Sequence, residues 1–517
     1  MQGNKNYYPL TYAQRRVYLS EKTNGNRKTS VYTIGGCLEI EGQVDLILLE
    51  QAIIKMIQKY DAFQIRLKET EQGPRQYFSK MNTESLPYYN FSLPQYKYTN
   101  FYSWCNEKFK EPFPMEEEKP LYYFCIFKTK DNRTGYFFKL HHIIADGWSI
   151  NLILQTVASN YECLKKNENQ LIISDLRSFS YLNYIASENK YINSKCFERD
   201  RKFWLERFQS IPEPLFDIKK DRYEGKRKEY RFSPYTENIL NQIMKEQKVS
   251  ISAIVSALTA IYYMGYYGKE EIIIGIPVYN REKATKKVCG LFTSNTLLRL
   301  KNYPNMKLGE YVTKTGKDLN LCYYHQKYPY DLLVRDIELQ KKGQSLLYQI
   351  AVNYYNTKLA GEFSGMKENN YELYGGQQFC PLQIVIKSWD DTEGTSVLMD
   401  YQTEYFTENQ LDAFMDFLEN GIYLLGTRAN IALQEIPLIT EKSKNEIIYG
   451  YNSYFAKRQI SETVLQKIER QSVTRPKAVA VSWEQNSLTY EELNEKAEHL
   501  AAHLQSQFGK SQQIIAV

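Results

Sequence analysis

Long apolar runs, paired cysteines and blocks of like charge are all missing from this 517-residue sequence, and histidine is scarce, at five. No stretch approaches the about 20 apolar residues of a membrane span, and the opening "MQGNKNYYPLTYAQRR" lacks the apolar centre of a secretory signal. The eight cysteines, from Cys37 to Cys380, stand singly with no Cys-x-x-Cys. That argues against a disulfide framework or a zinc site and for reduced thiols in a cytoplasm. Lys and Arg total 66 against 60 Asp and Glu, interleaved throughout, so the net +6 forms no nucleic-acid footprint. A phosphate-cradling Gly-x-x-x-x-Gly-Lys is absent. The sequons at Asn90 and Asn132 carry no weight without a secretory route. These absences leave a cytoplasmic protein with neither a nucleic acid nor a membrane as partner.

What is present suits large cores. Hydrophobic residues make up 43% and charged residues 24%, and the length predicts two or three compact units. Tyr is abundant at 45 residues, which implies many half-buried amphipathic rings and assigns no job. Segment 44–57 places Leu46, Leu49, Ile53 and Ile57 on one helical face behind Asp45 as N-cap. "YFFKL" (136–140) reads as a strand, and after Gly147 a helix follows with Ser149 as its cap and Leu152, Val157 and Tyr161 in its apolar set. A polar, Lys-rich region around 164–200 separates this α/β unit from a second. The second opens with two helical patterns broken near Lys248. Strand "EIIIGIPVYNR" (271–281) follows, closed by Pro277, then the strand-like "LLYQIAVNYY", "LQIVIKSW" and "SVLMDYQTEYF" and a closing helix "ENQLDAFMDFLENGIYLL". Residues 436–465 read as connector. Beyond them lie a strand, "RPKAVAVSW", and a helix with Leu493, Ala497, Leu500, Ala501 and Leu504 on one side. The chain stops inside "QQIIAV", a strand without a partner, so its last fifty or so residues read as the opening of something larger.

The stretch "LHHIIADGWS" (140–149) places two of the five histidines side by side. Neighbouring side chains of a strand point to opposite faces, so His142 shares a face with Leu140 and Phe138, and His141 with Lys139 and Phe137. One ring faces a cavity and the other holds local geometry by hydrogen bonding. Asp146 lies in the turn, followed by Gly147, where a side chain would block close approach of a backbone or ligand. A purely structural reading makes both rings internal and Asp146 a cap. A metal needs a third ligand, and His325, His499 and His503 bring no carboxylate or Cys spacing to supply one. What remains is a neutral imidazole able to accept a proton near pH 7.

"HHIIADG" resembles the His-His-x-x-x-Asp-Gly motif of condensation domains of nonribosomal peptide synthetases, in the chloramphenicol acetyltransferase-like superfamily. Other motifs of that family follow in order. "PLTYAQRRVYLSE" (9–21) resembles the first, through Thr11, Ala13, Gln14 and Arg16. "KYDAFQIRL" (59–67) resembles the second loosely, keeping Asp61 and Arg66 but placing Lys59, Tyr60 and Gln64 where Arg, His and Arg are usual. "SYLNYIASENKY" with "RDRKFWLERF" resembles the fourth. "GIPVYNR" and "CGLFTSNTLLRL" resemble the fifth, with Ser294 for the usual Asn. "HQKYPYDLL" (325–333) resembles the sixth and "QIAVNYYN" (349–356) the seventh, so the likeness runs from about residue 7 to 440. "LTYEELNEKAEHLAAHL" resembles the first core motif of adenylation domains.

The resemblance implies an α/β (α+β) fold of two chloramphenicol acetyltransferase-like lobes in a V-shaped pseudo-dimer, plus a truncated N-terminal piece of an adenylation domain. The expected division is N-lobe 1–175, C-lobe 176–440, linker 441–465 and adenylation fragment 466–517. Between the lobes would lie a tunnel with His142, His141 and Gly147 as catalytic residues, Gly147 leaving room for a pantetheine arm or acceptor. Asp146 and Arg281 would form a salt bridge across the lobes. Trp148, packed beneath the loop, would share the tunnel with Ser149 and Tyr355. The implied reaction is amide formation between an acyl thioester and an aminoacyl α-amine, with His142 as proton acceptor or as positioning group. No cofactor is bound covalently: substrates ride on the 4'-phosphopantetheine of carrier proteins or as acyl-CoA.

Segments 21–45 and 382–391 resemble starter condensation domains, which implies a fatty or β-hydroxy-fatty acyl donor delivered by acyl-CoA or acyl carrier protein. The acceptor would sit on a downstream peptidyl carrier protein, with an adenylation domain in cis and a monomeric chain. A peptide-elongating domain fed by an upstream carrier, or a non-catalytic recruitment platform, are the alternatives. An epimerising relative fits poorly, since it would not lead into an adenylation start.

Overall fold

The computed structural model describes residues 6–23, 30–79, 85–93, 101–115, 118–131, 133–167, 180–218, 223–344, 346–355, 362–363, 365–388, 394–450 and 462–509. The terminal "QQIIAV" strand and the connector residues 451–461 lie outside them. The chain forms two compact units, 1–440 and 441–517.

The first unit holds two six-stranded sheets. One runs in spatial order Glu362–Phe363, Met366–Glu372, Thr33–Ile40, Thr134–His141, Tyr122–Lys128, Tyr88–Asn90. The other runs Ser294–Lys301, Glu271–Val278, Ile350–Tyr355, Leu382–Lys387, Ser396–Gln402, Gly225–Arg231. In the first sheet all eight residues of Thr134–His141 are buried, because helices cover both faces. Tyr136, Phe138 and Leu140 face helices Leu46–Lys59 and Gly147–Lys165, whereas Phe137 meets Phe101 and Trp104 of helix Phe101–Lys110. Asp45 caps the first of these helices, accepting from Ile47 N and Leu48 N, and Leu49, Ile53, Met56 and Ile57 form its buried side. The two helices on the shared face are pinned to each other by Tyr60 Oη to Thr156 Oγ1, 2.8 Å, and by Asn160 Nδ2 donating to Ala52 O, 3.0 Å.

The second sheet packs on helix Ile251–Tyr267, whose residues Ile251 to Met264 are all buried, the state expected of a helix apolar all round. It follows helix Pro234–Gln247 across a left-handed Lys248, where the sequence predicts the break. Among the described residues no single helix is long and apolar enough to cross a membrane.

Two features differ from the sequence expectation. The polar stretch 164–200 is not a bare separator. It holds helix Tyr181–Ile192 and the start of helix Lys195–Arg207, capped by Ser180 and Ser194, each burying only a few residues such as Tyr181, Ile185 and Trp204. Nor does one cut at 175/176 divide the two sheets. Strand Met366–Glu372, late in the chain, pairs antiparallel with Thr33–Ile40, and Val288 to Phe292 sit in the first core. That pairing demands close backbones: a Cβ on Gly36 would lie 2.2 Å from Tyr371 O.

The second unit carries helix Val464–Thr474, hairpin Val479–Trp483/Asn486–Thr489 and helix Tyr490–Phe508, whose cap Thr489 and Glu492 form a reciprocal capping box. This is the strand-and-helix pattern the sequence predicts.

Because Leu140 is fully buried beside the histidine pair, Leu140→Ala is expected to destabilise the first unit by about 2–5 kcal/mol, read as a lowered thermal midpoint.

Candidate functional site

Strand Thr134–His141 delivers the histidine pair, a short 3-10 turn His142–Ile144 redirects the chain, and helix Gly147–Lys165 leaves from Asp146. His141 is held on both ring nitrogens. Its Nδ1 accepts from Ile143 N at 3.1 Å, so Nε2 carries the hydrogen and faces Glu21 Oε1 at 3.1 Å. It is buried and does not border the cavity, which replaces the expectation of a catalytic His141: its geometry is that of a clamp on the turn. Gln14, from the opening motif, braces the same turn by donating to Ile143 O at 3.2 Å and to Gln76 Oε1 at 3.0 Å.

His142 is fixed through its backbone, its N–H donating to Tyr32 O at 2.7 Å. Its ring borders a cavity of about 270 Å³. Nδ1 is buried without a hydrogen-bond partner, which leaves Nε2 toward the cavity. Burial pushes the imidazole below its ordinary value, against the opposing pull of its own carbonyl and of Asp146. The ring is therefore neutral at pH 7 and has a lone pair to offer.

Asp146 is the hub beneath the loop. Oδ1 accepts from Ser149 N (2.9 Å) and Arg281 Nη2 (2.8 Å), while Oδ2 accepts from Phe292 N (3.0 Å) and Thr293 Oγ1 (3.3 Å). Arg281 also donates through Nη1 to Val288 O and Thr285 O, at 2.6 and 2.9 Å, and lies 3.9 Å from the Phe292 ring centre. The side chains of Arg281 and Asp146 are 2% and 0% exposed. The pairing expected from the sequence is thus present in the structure, as a buried ion pair.

The remaining expectations divide. Asp146, not Ser149, is the N-cap of the helix. Ser149 is buried, its Oγ 2.8 Å from both Asp146 Oδ1 and Gly290 O, and it does not border the cavity. Trp148 also leaves the cavity: its Nε1 donates to Lys286 O at 2.8 Å and its ring meets Tyr279. Tyr355 does border it. The room left by Gly147 is filled by that tyrosine rather than kept open, since a Cβ there would lie 2.9 Å from the Tyr355 hydroxyl. The departure at Ser294 lies elsewhere, in a small recess with Arg16 and Asp331.

Three residues unassigned from the sequence border the cavity and bring charge: Arg227, Glu372 and Asp400. Arg227 donates to Asp400 at 2.6 and 2.9 Å and to Glu372 at 3.2 Å, and Lys387 pairs with Glu372. They stand too far apart in sequence to form a motif. Asn151 was findable: with Gly147, Ile150 and Leu154 it makes an i, i+3, i+4, i+7 face on the helix, and it is the polar member. Among the described residues no group of three or more His, Cys, Asp or Glu could hold a metal.

The family model of the condensation domain matches residues 4–448. Surfactin synthase subunit 1 of Bacillus subtilis (strain 168) is 27% identical over 507 residues, 96% of this chain and 14% of the relative. The dimodular nonribosomal peptide synthase of the same strain is 24% identical over 499 residues, 96% of this chain and 21% of the relative. The chain therefore spans about a fifth or less of the length of these two curated relatives. A variant of the starter condensation domain of rhizomide synthetase RzmA, solved with C8-CoA, superposes with TM-score 0.72 at 20% identity, covering 84% of this chain and 98% of that one. The first condensation domain of the calcium-dependent antibiotic synthetase, with a substrate analogue, gives 0.71 at 20% identity, over 84% and 99%. The mixed α/β architecture is shared with these structures.

Removing one member of a buried ion pair strands the other. Asp146→Asn and Arg281→Met are each expected to cost about 3–5 kcal/mol, and the double variant less than their sum, read from thermal unfolding as a double-mutant cycle.

Proposed function

This chain belongs to the condensation domain family, and from that premise we propose that it is a starter-type domain of a nonribosomal peptide synthetase, forming an amide between an acyl thioester and the α-amine of a carrier-bound aminoacyl group. One observation carries the reading: a neutral imidazole, that of His142, stands on the wall of a cavity with its Nε2 unengaged. The amine nitrogen attacks the thioester carbonyl, the C–N bond forms, the C–S bond breaks, and the thiol leaves with a proton. The amine sheds one proton in this sequence, and His142 Nε2 accepts it or orients the amine as it attacks. A cavity that holds both reactants adds an effective-concentration advantage to the proton transfer.

The solved starter domain bound to C8-CoA supports an acyl-CoA or acyl carrier protein as donor here, with a fatty or β-hydroxy-fatty acyl group. A downstream peptidyl carrier protein would present the acceptor. The hairpin Val479–Trp483/Asn486–Thr489 and helix Tyr490–Phe508 fit the opening of an adenylation domain in cis.

His142→Ala tests the reading in a reconstituted module given acyl-CoA and an aminoacyl-loaded carrier, with product followed by intact-protein mass spectrometry. The expected loss is about 10²–10⁴-fold, and an unchanged rate would assign a recruitment role instead. The pH profile follows from the depressed imidazole. The ring must be neutral, so activity persists as pH falls through the ordinary histidine value of about 6.5 and is lost only below it.

A further inference from the structure

We propose that a second cavity, at the edge of the second sheet, binds a phosphate monoester. It lies between the end of helix Lys195–Arg207, strand Ser294–Lys301 and helix Leu308–Tyr324. Its volume is about 330 Å³, and it shares no residue with the cavity beside His142. Helix Leu308–Tyr324 turns one face toward it, Tyr311, Lys314, Thr315 and Asp318, at i, i+3, i+4 and i+7.

The charges along this wall do not balance. Arg299 and Lys301 both pair with Glu271, at 2.7 and 2.8 Å, and Lys314 pairs with Asp318 at 2.9 Å. Arg299 is held further by Arg207 O and Ser210 O, which accept from its Nη1 at 2.8 and 2.7 Å. Glu206 is exposed, with Lys202 3.8 Å away. Arg207 is left over: it is half-buried and forms no ion pair among the described residues. Its Nε is buried without a hydrogen-bond partner, and its Nη2 reaches only Arg299 O, at 3.4 Å. Water satisfies such hydrogens but leaves the charge unanswered.

A second donor on the same wall is also unmet. Tyr311 is 1% exposed, yet its Oη has no partner. Burial pushes this phenol above its ordinary value, so it keeps its hydrogen and donates.

These two groups select the ligand. The Nε–Nη2 edge of a guanidinium is a planar fork that grips two oxygens of a carboxylate or a phosphate. A carboxylate spends both oxygens on the fork. A phosphate monoester keeps a third for a donor on another element, here Tyr311 Oη. Leu300 and the Tyr303 ring border the same space and offer an apolar surface to the esterified group.

The full chain is titrated with inorganic phosphate, AMP and glucose 6-phosphate, with acetate at matched ionic strength as the carboxylate control. Binding is read by calorimetry and by the thermal midpoint. At least one ester should bind saturably and about tenfold more tightly than acetate. The ranking of AMP against glucose 6-phosphate distinguishes a nucleotide from a sugar phosphate as the source. Arg207→Met and Tyr311→Phe should each weaken the preferred ester about tenfold or more. The isosteric Tyr311→Phe decides alone should the first variant fail to fold. The proposal is overturned by acetate binding as tightly as the esters, by inorganic phosphate binding while neither ester does, by no saturable binding at all, or by an ester affinity unmoved in either folded variant.

Discussion

A single buried carboxylate organises the molecule around its reactive ring. Asp146 caps the helix that follows the histidine turn and binds Arg281, Phe292 and Thr293, at least 135 positions further along the chain. An isolated charge so deeply enclosed would be prohibitively unfavourable, and the guanidinium, two backbone or hydroxyl hydrogens and the Ser149 amide together compensate it. The arrangement contributes little net stability compared with an apolar substitute. Its value is geometric, because four partners in fixed directions leave the loop one conformation.

The freedom of His142 follows from the confinement of everything adjoining it. His141 is held at both nitrogens, Ile143 by Gln14, and Gly147 by the tyrosine packed against it. With its neighbours committed, the one ring whose nitrogen meets the cavity needs no contact of its own to stay aimed. Burial then sets its charge state, favouring the neutral form that a proton acceptor requires.

Much of this was legible in the sequence because it is local. The helix cap at Asp45, the break at Lys248 and the alternation that sends His141 and His142 to opposite faces all depend on residues a few positions apart. Arg281 was reachable only through family likeness, since it lies 135 positions from its partner. Proximity in sequence places Ser149 and Trp148 at the cavity, yet the first turn of a helix points side chains around its whole circumference, and neither borders it. Arg227, Glu372 and Asp400 gave no signal: Arg227 and Asp400 meet on paired strands far apart in sequence, and Glu372 reaches Arg227 from a strand of the other sheet. The place of residues 362–372 far along the chain, within the span expected for the second lobe, likewise concealed that they finish the first sheet.

That last pairing bears on how the chain is made. During synthesis, strand Thr33–Ile40 precedes its neighbour Met366–Glu372 by more than 300 residues. At ribosomal rates this amounts to roughly a quarter of a minute to a minute during which one border of the nascent sheet has no partner. An open border of this kind is a template for unwanted association between chains. The two neighbouring glycines on it, Gly35 and Gly36, supply no side chains to discourage such pairing until the later strand arrives to cover it.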